Sequence, residues 1–169
     1  NRNIYYSSAM GVDMGMFYKR RDYTRVVNGR NPIVAHEYLG DSVEGKDVFV
    51  ADDIIASGDS ILDLAYNLKR RKAKRVFAGA TFAFFTSGLE AFDKAYADGV
   101  IDHVFATNLT YTPQEVLDRP WFSQADMSKY MAFVIATLNH DQSLSYLLNP
   151  WNRIEKLLTK YRAEHPYED

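Results

Sequence analysis

Two adjacent carboxylates and a run of small residues stand together in VFVADDIIASGDS, residues 48–60: Asp52 and Asp53, then Ser57, Gly58, Asp59 and Ser60. A loop of small residues between a strand and a helix exposes successive backbone N–H groups. Beside a helix N-terminus, those donors and the dipole make a cradle for phosphate. Ser57 and Ser60 add hydroxyl donors, and Gly58 permits a positive φ or a close backbone approach. The carboxylates do not serve the phosphate, because like charges repel. They accept hydrogen bonds from sugar hydroxyls, or hold Mg2+ directly or through water. Phosphate at one end and diol or metal at the other suits a ribose 5-phosphate unit. The plainer alternative is that Asp53 caps the following helix and the loop is a polar turn. The stretch is not a Walker loop, since the GxxxxGK[ST] lysine is absent, and it is not a GxGxxG fingerprint. The histidines His36, His103, His140 and His165 are scattered without metal-ligand spacing and read as structural.

The elements that must position this loop alternate short β-rich runs with longer helical ones. GMFYK (15–19) is a short strand candidate, and DVFVADD (47–53) reads as a strand buried on both faces. Ile61, Leu62, Leu64, Ala65 and Leu68 then mark a helix that ends in the basic KRRKAKR, where cations complement the dipole. RVFAGATFAFF (75–85) is the next strand, GLEAFDKAYADG a helix stopped by Gly99, and IDHVFATN (101–108) a further strand. TYTPQEVLDRPWF reads as a loop. Met127, Tyr130, Met131, Val134, Ile135 and Leu138 give the next helix an amphipathic stripe. This alternation predicts α/β architecture: a doubly wound parallel sheet flanked by helices, with ligands outside the carboxyl ends of its strands. FAFF, at a strand end, is the candidate contact with a subunit or another part of the protein. WNRIEKLLTKYRAEHPYED, from residue 151, predicts a charged amphipathic helix as a separate extension after a 1–150 domain.

At 169 residues the chain holds one domain with a real core. Its 47% hydrophobic and 25% charged residues exclude a disordered chain. A net charge of −2 gives no bulk electrostatic reason to expect nucleic acid or an anionic membrane as partner. With no cysteine, disulfides, thiolate metal sites and cysteine nucleophiles are excluded, which suits a cytoplasmic protein. No stretch approaches the apolar length of a membrane span, and NRNIYYSSAMG lacks a signal-peptide core. Ile4, Tyr5, Ala9 and Met10 already fit a helix, so the expectation is a piece that begins inside a larger protein.

The acidic-strand loop resembles the phosphoribosyl pyrophosphate-binding motif of the type I phosphoribosyltransferase fold. More of the chain resembles one branch, the ribose-phosphate pyrophosphokinases. YKRRD (18–22) is similar to the KRR that opens that family's catalytic loop, and VEGKDVFVADDII to its "EGK, strand, DDII" run. TSG (86–88), ATN (106–108) and DQSLSYLL (141–148) follow in the family's order. The resemblance covers roughly residues 5–150 and corresponds to the C-terminal half of such a synthetase. It implies transfer of the β,γ-diphosphate of Mg-ATP to the C1 hydroxyl of ribose 5-phosphate, releasing AMP. It further implies that Ala56, Ser57, Gly58, Asp59 and Ser60 cradle the 5-phosphate. Asp52 and Asp53 would hold the ribose hydroxyls and Mg2+, and Lys19 and Arg21 would act as catalytic cations over the polyphosphate. The implied partners are the N-terminal half of the same protein and further copies of it, in a dimer-based assembly up to a hexamer. The isolated piece is expected to be inactive.

Four features depart from the family pattern. Ala56 replaces a frequent carboxylate, Asp59 stands where glycine is usual, Phe82 stands where a histidine often follows the strand threonine, and the loop from Lys19 to Lys46 is longer than usual. Two other readings therefore stand beside the enzyme: a non-catalytic regulatory paralogue that binds ribose phosphates, and a nucleobase phosphoribosyltransferase. Apart from that resemblance, Lys19, Arg20 and Arg21 read as a solvated charge cluster.

Overall fold

The computed structural model describes residues 2–21 and 33–166, with residues 2, 18–21 and 33–37 described by their backbone alone. They form two compact units, 1–42 with 153–169, and 43–152.

In the first unit, helix α1 (Arg2–Met10) precedes an antiparallel pair, β1 (Met16–Arg21) and β2 (Ile33–Leu39). Met16 pairs with Leu39 and Lys19 with His36, and the register slips between Arg20 and Arg21. The KRR run, residues 19–21, therefore closes β1. IVAHEYL lies within the long loop expected from Lys19 to Lys46, yet its β-branched Ile33 and Val34 are residues that favour a strand. α7 (Trp151–Glu164) is the helix expected after residue 150.

The second unit carries the parallel sheet, in the order β3 (Asp47–Ile55), β4 (Arg75–Ala83), β5 (His103–Thr107), β6 (Phe122–Ala125). Every neighbouring pair is parallel, and the expected α/β architecture with a helix-flanked parallel sheet is what forms. α2 (Asp59–Arg70) crosses from β3 to β4 and buries Ile61, Leu62, Ala65 and Leu68, a face set by helical spacing. It ends with Ala73 N–H donating to the Leu68 carbonyl, and Lys69 Nζ reaches the Lys74 carbonyl at 2.8 Å. α3 (Glu90–Ala97) crosses from β4 to β5 and stops at Gly99, whose φ of 66° is the left-handed turn expected there. Asp102 fastens β5 to its neighbours: its Oδ2 accepts from Val76 N–H at 2.8 Å and from Lys69 Nζ at 3.4 Å.

Three expectations change. β3 is not buried on both faces: among the described residues it is an edge strand, and Phe49 and Ile54 remain about half exposed. An edge strand has a neighbour on one side only, which leaves its side chains less cover. The segment read as one loop holds a short helix, α4 (Gln114–Leu117), and its last residue, Phe122, opens β6. β6 was missed because FSQA is short and its only large apolar residue is Phe122, and a single pairing partner defines it. FAFF does not face outward as a unit. Phe85 turns into the core at 6% exposure, while Phe84 stays outside at 50%.

α5 (Ser128–Asn139) forms as predicted, but none of its residues is buried, and Ile135 and Leu138 are exposed. Its start is tied to the sheet. Asn108 Nδ2 donates to Asp126 Oδ1 at 2.7 Å, Ser128 N–H donates to the same oxygen at 2.9 Å, and Met127 N–H donates to Asn108 Oδ1 at 2.8 Å. The bonds from Ser128 to the carboxylate, and then that from Asn108, hold Asp126 below the ordinary aspartate value of 3.8. A depressed folded-state pKa stabilises above the unfolded value and loses that contribution as pH falls through the folded one. Amide exchange at Ser128 should therefore quicken below the ordinary aspartate range in the native chain. In Asp126→Asn the rate, corrected for intrinsic exchange, should be flat with pH. An equal acid response in both proteins would remove Asp126 as the cause.

Candidate ribose-phosphate site

The candidate site begins where β3 runs out. Asp52 and Asp53 are exposed at its carboxyl end, and Asp53 N–H donates to Asp52 Oδ1 at 2.7 Å. Alternation along an extended strand sends successive side chains to opposite faces, so the two carboxylates flank the strand end. Ile55, 1% exposed, anchors the strand before the chain turns.

Ala56, Ser57 and Gly58 form the turn, and Asp59 and Ser60 open α2. The turn is strapped to the segment after β4. Phe84 N–H donates to the Ile55 carbonyl at 2.8 Å and Thr86 N–H to the Ala56 carbonyl at 2.9 Å. Gly58 is the N-cap, with φ 93° and ψ −9°, and no side chain caps the helix. Asp53 is therefore not the cap, which removes the plainer reading of that residue. Gly58 is buried, and a Cβ built on it would run into the Phe92 ring. Glycine is required here twice over, by the left-handed backbone and by that close approach.

The floor beneath the loop is aromatic. Phe92 is fully buried, stacks on Trp121 at 5.3 Å between ring centroids, and meets Phe85 edge-on at 5.1 Å. Trp121 Nε1 donates to Asp93 Oδ1 at 2.7 Å, so the buried indole keeps its hydrogen bond. None of this floor was legible as part of a site, because Phe92 and Trp121 lie far from Gly58 along the chain. The positive φ of Gly58 was anticipated; the ring under it was not.

Above the floor, the first bond into α2 runs from Leu62 N–H to the Gly58 carbonyl at 3.0 Å. The N–H groups of Ser60 and Ile61 precede it and have no intrahelical acceptor, as at any helix start. Ser57 Oγ donates to Asp59 Oδ2 at 2.9 Å, and Asp59 N–H approaches Ser57 Oγ at 3.4 Å. The hydroxyl of Ser57 is thus already engaged within the loop, while Ser60 is exposed.

The structure brings Asp52, Asp53 and residues 56–60 together. Lys19 and Arg21 stand on β1 in the other unit, and their side chains lie outside the described part of the chain. Among the described residues, no group of three or more His, Asp or Glu side chains gathers as a metal cage. His103 bonds Ser123 Oγ at 2.8 Å and packs on Phe105, in keeping with a structural role. No helix among the described residues is long and apolar enough to cross a membrane.

A parallel sheet whose edge strand carries adjacent carboxylates near its carboxyl end, followed by a small-residue turn into a helix, makes this an α/β protein with its candidate site at that strand's end. The solved structure of phosphoribosylpyrophosphate synthetase from Mycobacterium smegmatis shares this fold, with a TM-score of 0.55 at 20% identity over 63% of this chain and 34% of that one. Residues 25–149 match the family model of the phosphoribosyl synthetase-associated domain, and the chain belongs to that family. Curated relatives include the ribose-phosphate pyrophosphokinase of Vibrio cholerae, 34% identical over 144 residues, or 85% of this chain and 43% of that protein. That of Haemophilus influenzae is 34% identical over 138 residues, 82% of this chain and 41% of its own length. The chain spans about two fifths of the length of these relatives.

Proposed function

We propose that the chain is the ribose-phosphate-binding part of a cytoplasmic ribose-phosphate pyrophosphokinase. The whole protein would move diphosphate from ATP to the C1 hydroxyl of ribose 5-phosphate and release AMP. The observation that carries this reading is the run from Asp52 to Ser60: two exposed carboxylates, then a strapped glycine turn, then a helix start whose first N–H groups have no intrahelical acceptor.

In this reading the N–H groups at the start of α2, with the Ser57 and Ser60 hydroxyls, hold the 5-phosphate. One of the paired carboxylates accepts from the ribose hydroxyls. Both fit Mg2+, which takes one or two carboxylates and completes its shell from water and substrate phosphates. When bound, it would neutralise charge on the transferred diphosphate. Lys19 and Arg21 would supply further cationic stabilisation of that charge. The rest of the ATP site would come from the N-terminal half and from neighbouring copies in a dimer-based oligomer, so residues 1–169 alone would not turn over.

One observation favours a second reading, a non-catalytic ribose-phosphate-binding paralogue. Asp59 takes up the Ser57 hydroxyl that a phosphate would use, and Ala56 brings no carboxylate. AMP release by the full-length protein, supplied with ribose 5-phosphate and Mg-ATP, decides between them. Release that requires both substrates is the expected result. A folded protein that binds ribose 5-phosphate yet releases no AMP above background would establish the second reading instead.

A further inference from the structure

From the loop geometry we infer that Asp59 is an affinity-setting residue, an internal competitor for the phosphate in its own cradle. The inference rests on the ribose-phosphate reading of the loop. A bound phosphate would draw on the Ser57 hydroxyl, the free N–H groups at the start of α2 and the positive end of the helix dipole. Asp59 already uses the first of these, through Ser57 Oγ donating to Oδ2 at 2.9 Å. As the first residue of α2, it also sits in the turn where a carboxylate gains most from the dipole. Its N–H leans toward Ser57 Oγ at 3.4 Å, which draws that donor inward as well.

The site and the carboxylate therefore claim the same groups. To accept a phosphate, the Ser57 hydroxyl must turn away from Asp59, and the carboxylate must tolerate a second anion within the loop. Asp59 is exposed, so it has room to swing outward, and the result is reduced affinity rather than exclusion. The loop is set to favour a neutral or cation-complexed ligand over a bare dianion. Asp52 and Asp53 lie on β3, before the turn, and not in the first turn of α2.

Calorimetry of the full-length protein with ribose 5-phosphate tests the inference across three proteins: native, Asp59→Asn and Asp63→Asn. Asp63 lies one turn further along α2 and serves as a control for simple loss of one negative charge. Asp59→Asn should bind about tenfold tighter than native, and Asp63→Asn within about twofold. The advantage of Asp59→Asn should shrink as salt is raised, since the repulsion it removes is screened. If native protein binds and Asp59→Asn binds no tighter, or Asp63→Asn gains equally, the competitor role is wrong while the site reading stands. If none of the three binds ribose 5-phosphate, the site reading fails and the inference falls with it.

Discussion

Gly58→Ala should abolish measurable ribose 5-phosphate binding and lower stability by about 2–5 kcal/mol. Two independent penalties add. An L-residue at φ 93° costs about 1–2 kcal/mol for its left-handed backbone. The new Cβ also meets the Phe92 ring, and forcing an extra carbon into a packed site costs about 1–3 kcal/mol. The ring cannot yield easily, because it is held between Trp121 and Phe85. The turn must move instead, and with it the N–H groups that open α2. Denaturant unfolding gives the stability change and calorimetry the binding. Adding Phe92→Leu to Gly58→Ala should recover part of the packing penalty and none of the backbone one, a coupling that a double-mutant cycle isolates. An unchanged unfolding midpoint in Gly58→Ala would falsify the close approach of glycine and ring.

Removing the floor should have the larger effect on the fold. Phe92→Ala is expected to cost about 3–5 kcal/mol, the usual range for deleting a fully buried aromatic side chain. The loss extends past one cavity, since the ring links the glycine turn, the Phe85 bend and the indole of Trp121. Phe85 itself has φ 48°, a conformation that a bulky residue keeps only when its surroundings hold it. Trp121 is fully buried whereas Trp151 is 40% exposed, so a red shift in emission should report water reaching Trp121. Ribose 5-phosphate affinity should fall in the same variant, because the turn loses the surface it rests on. Should Phe92→Ala unfold with native stability, the aromatic cluster would not be the support described here.

Much of this was readable locally. The strand from Asp47, the helix marked by Ile61 to Leu68, the helix stop at Gly99 and the strands of 75–85 and 101–108 follow from periodicity and caps, which neighbouring residues determine. The run of Asp52 to Ser60 was equally plain as a candidate site, since its members are contiguous in sequence. β2 and β6 escaped because their pairing partners, not their own patterns, make them strands. Ile33 to Leu39 forms against β1, and the polar FSQA forms against β5.

The chain's own order of residues therefore determined the α/β class, the place of the carboxylates and the glycine turn. Tertiary structure decided what the turn rests on, which residue caps α2, and that β3 lies at the edge of the sheet with half-exposed side chains. The division has one physical cause. Backbone propensity and periodic burial act between near neighbours and leave a trace in the sequence. The contact of Phe92 with Gly58, or the pairing of β6 with β5, joins segments remote along the chain and leaves no such trace.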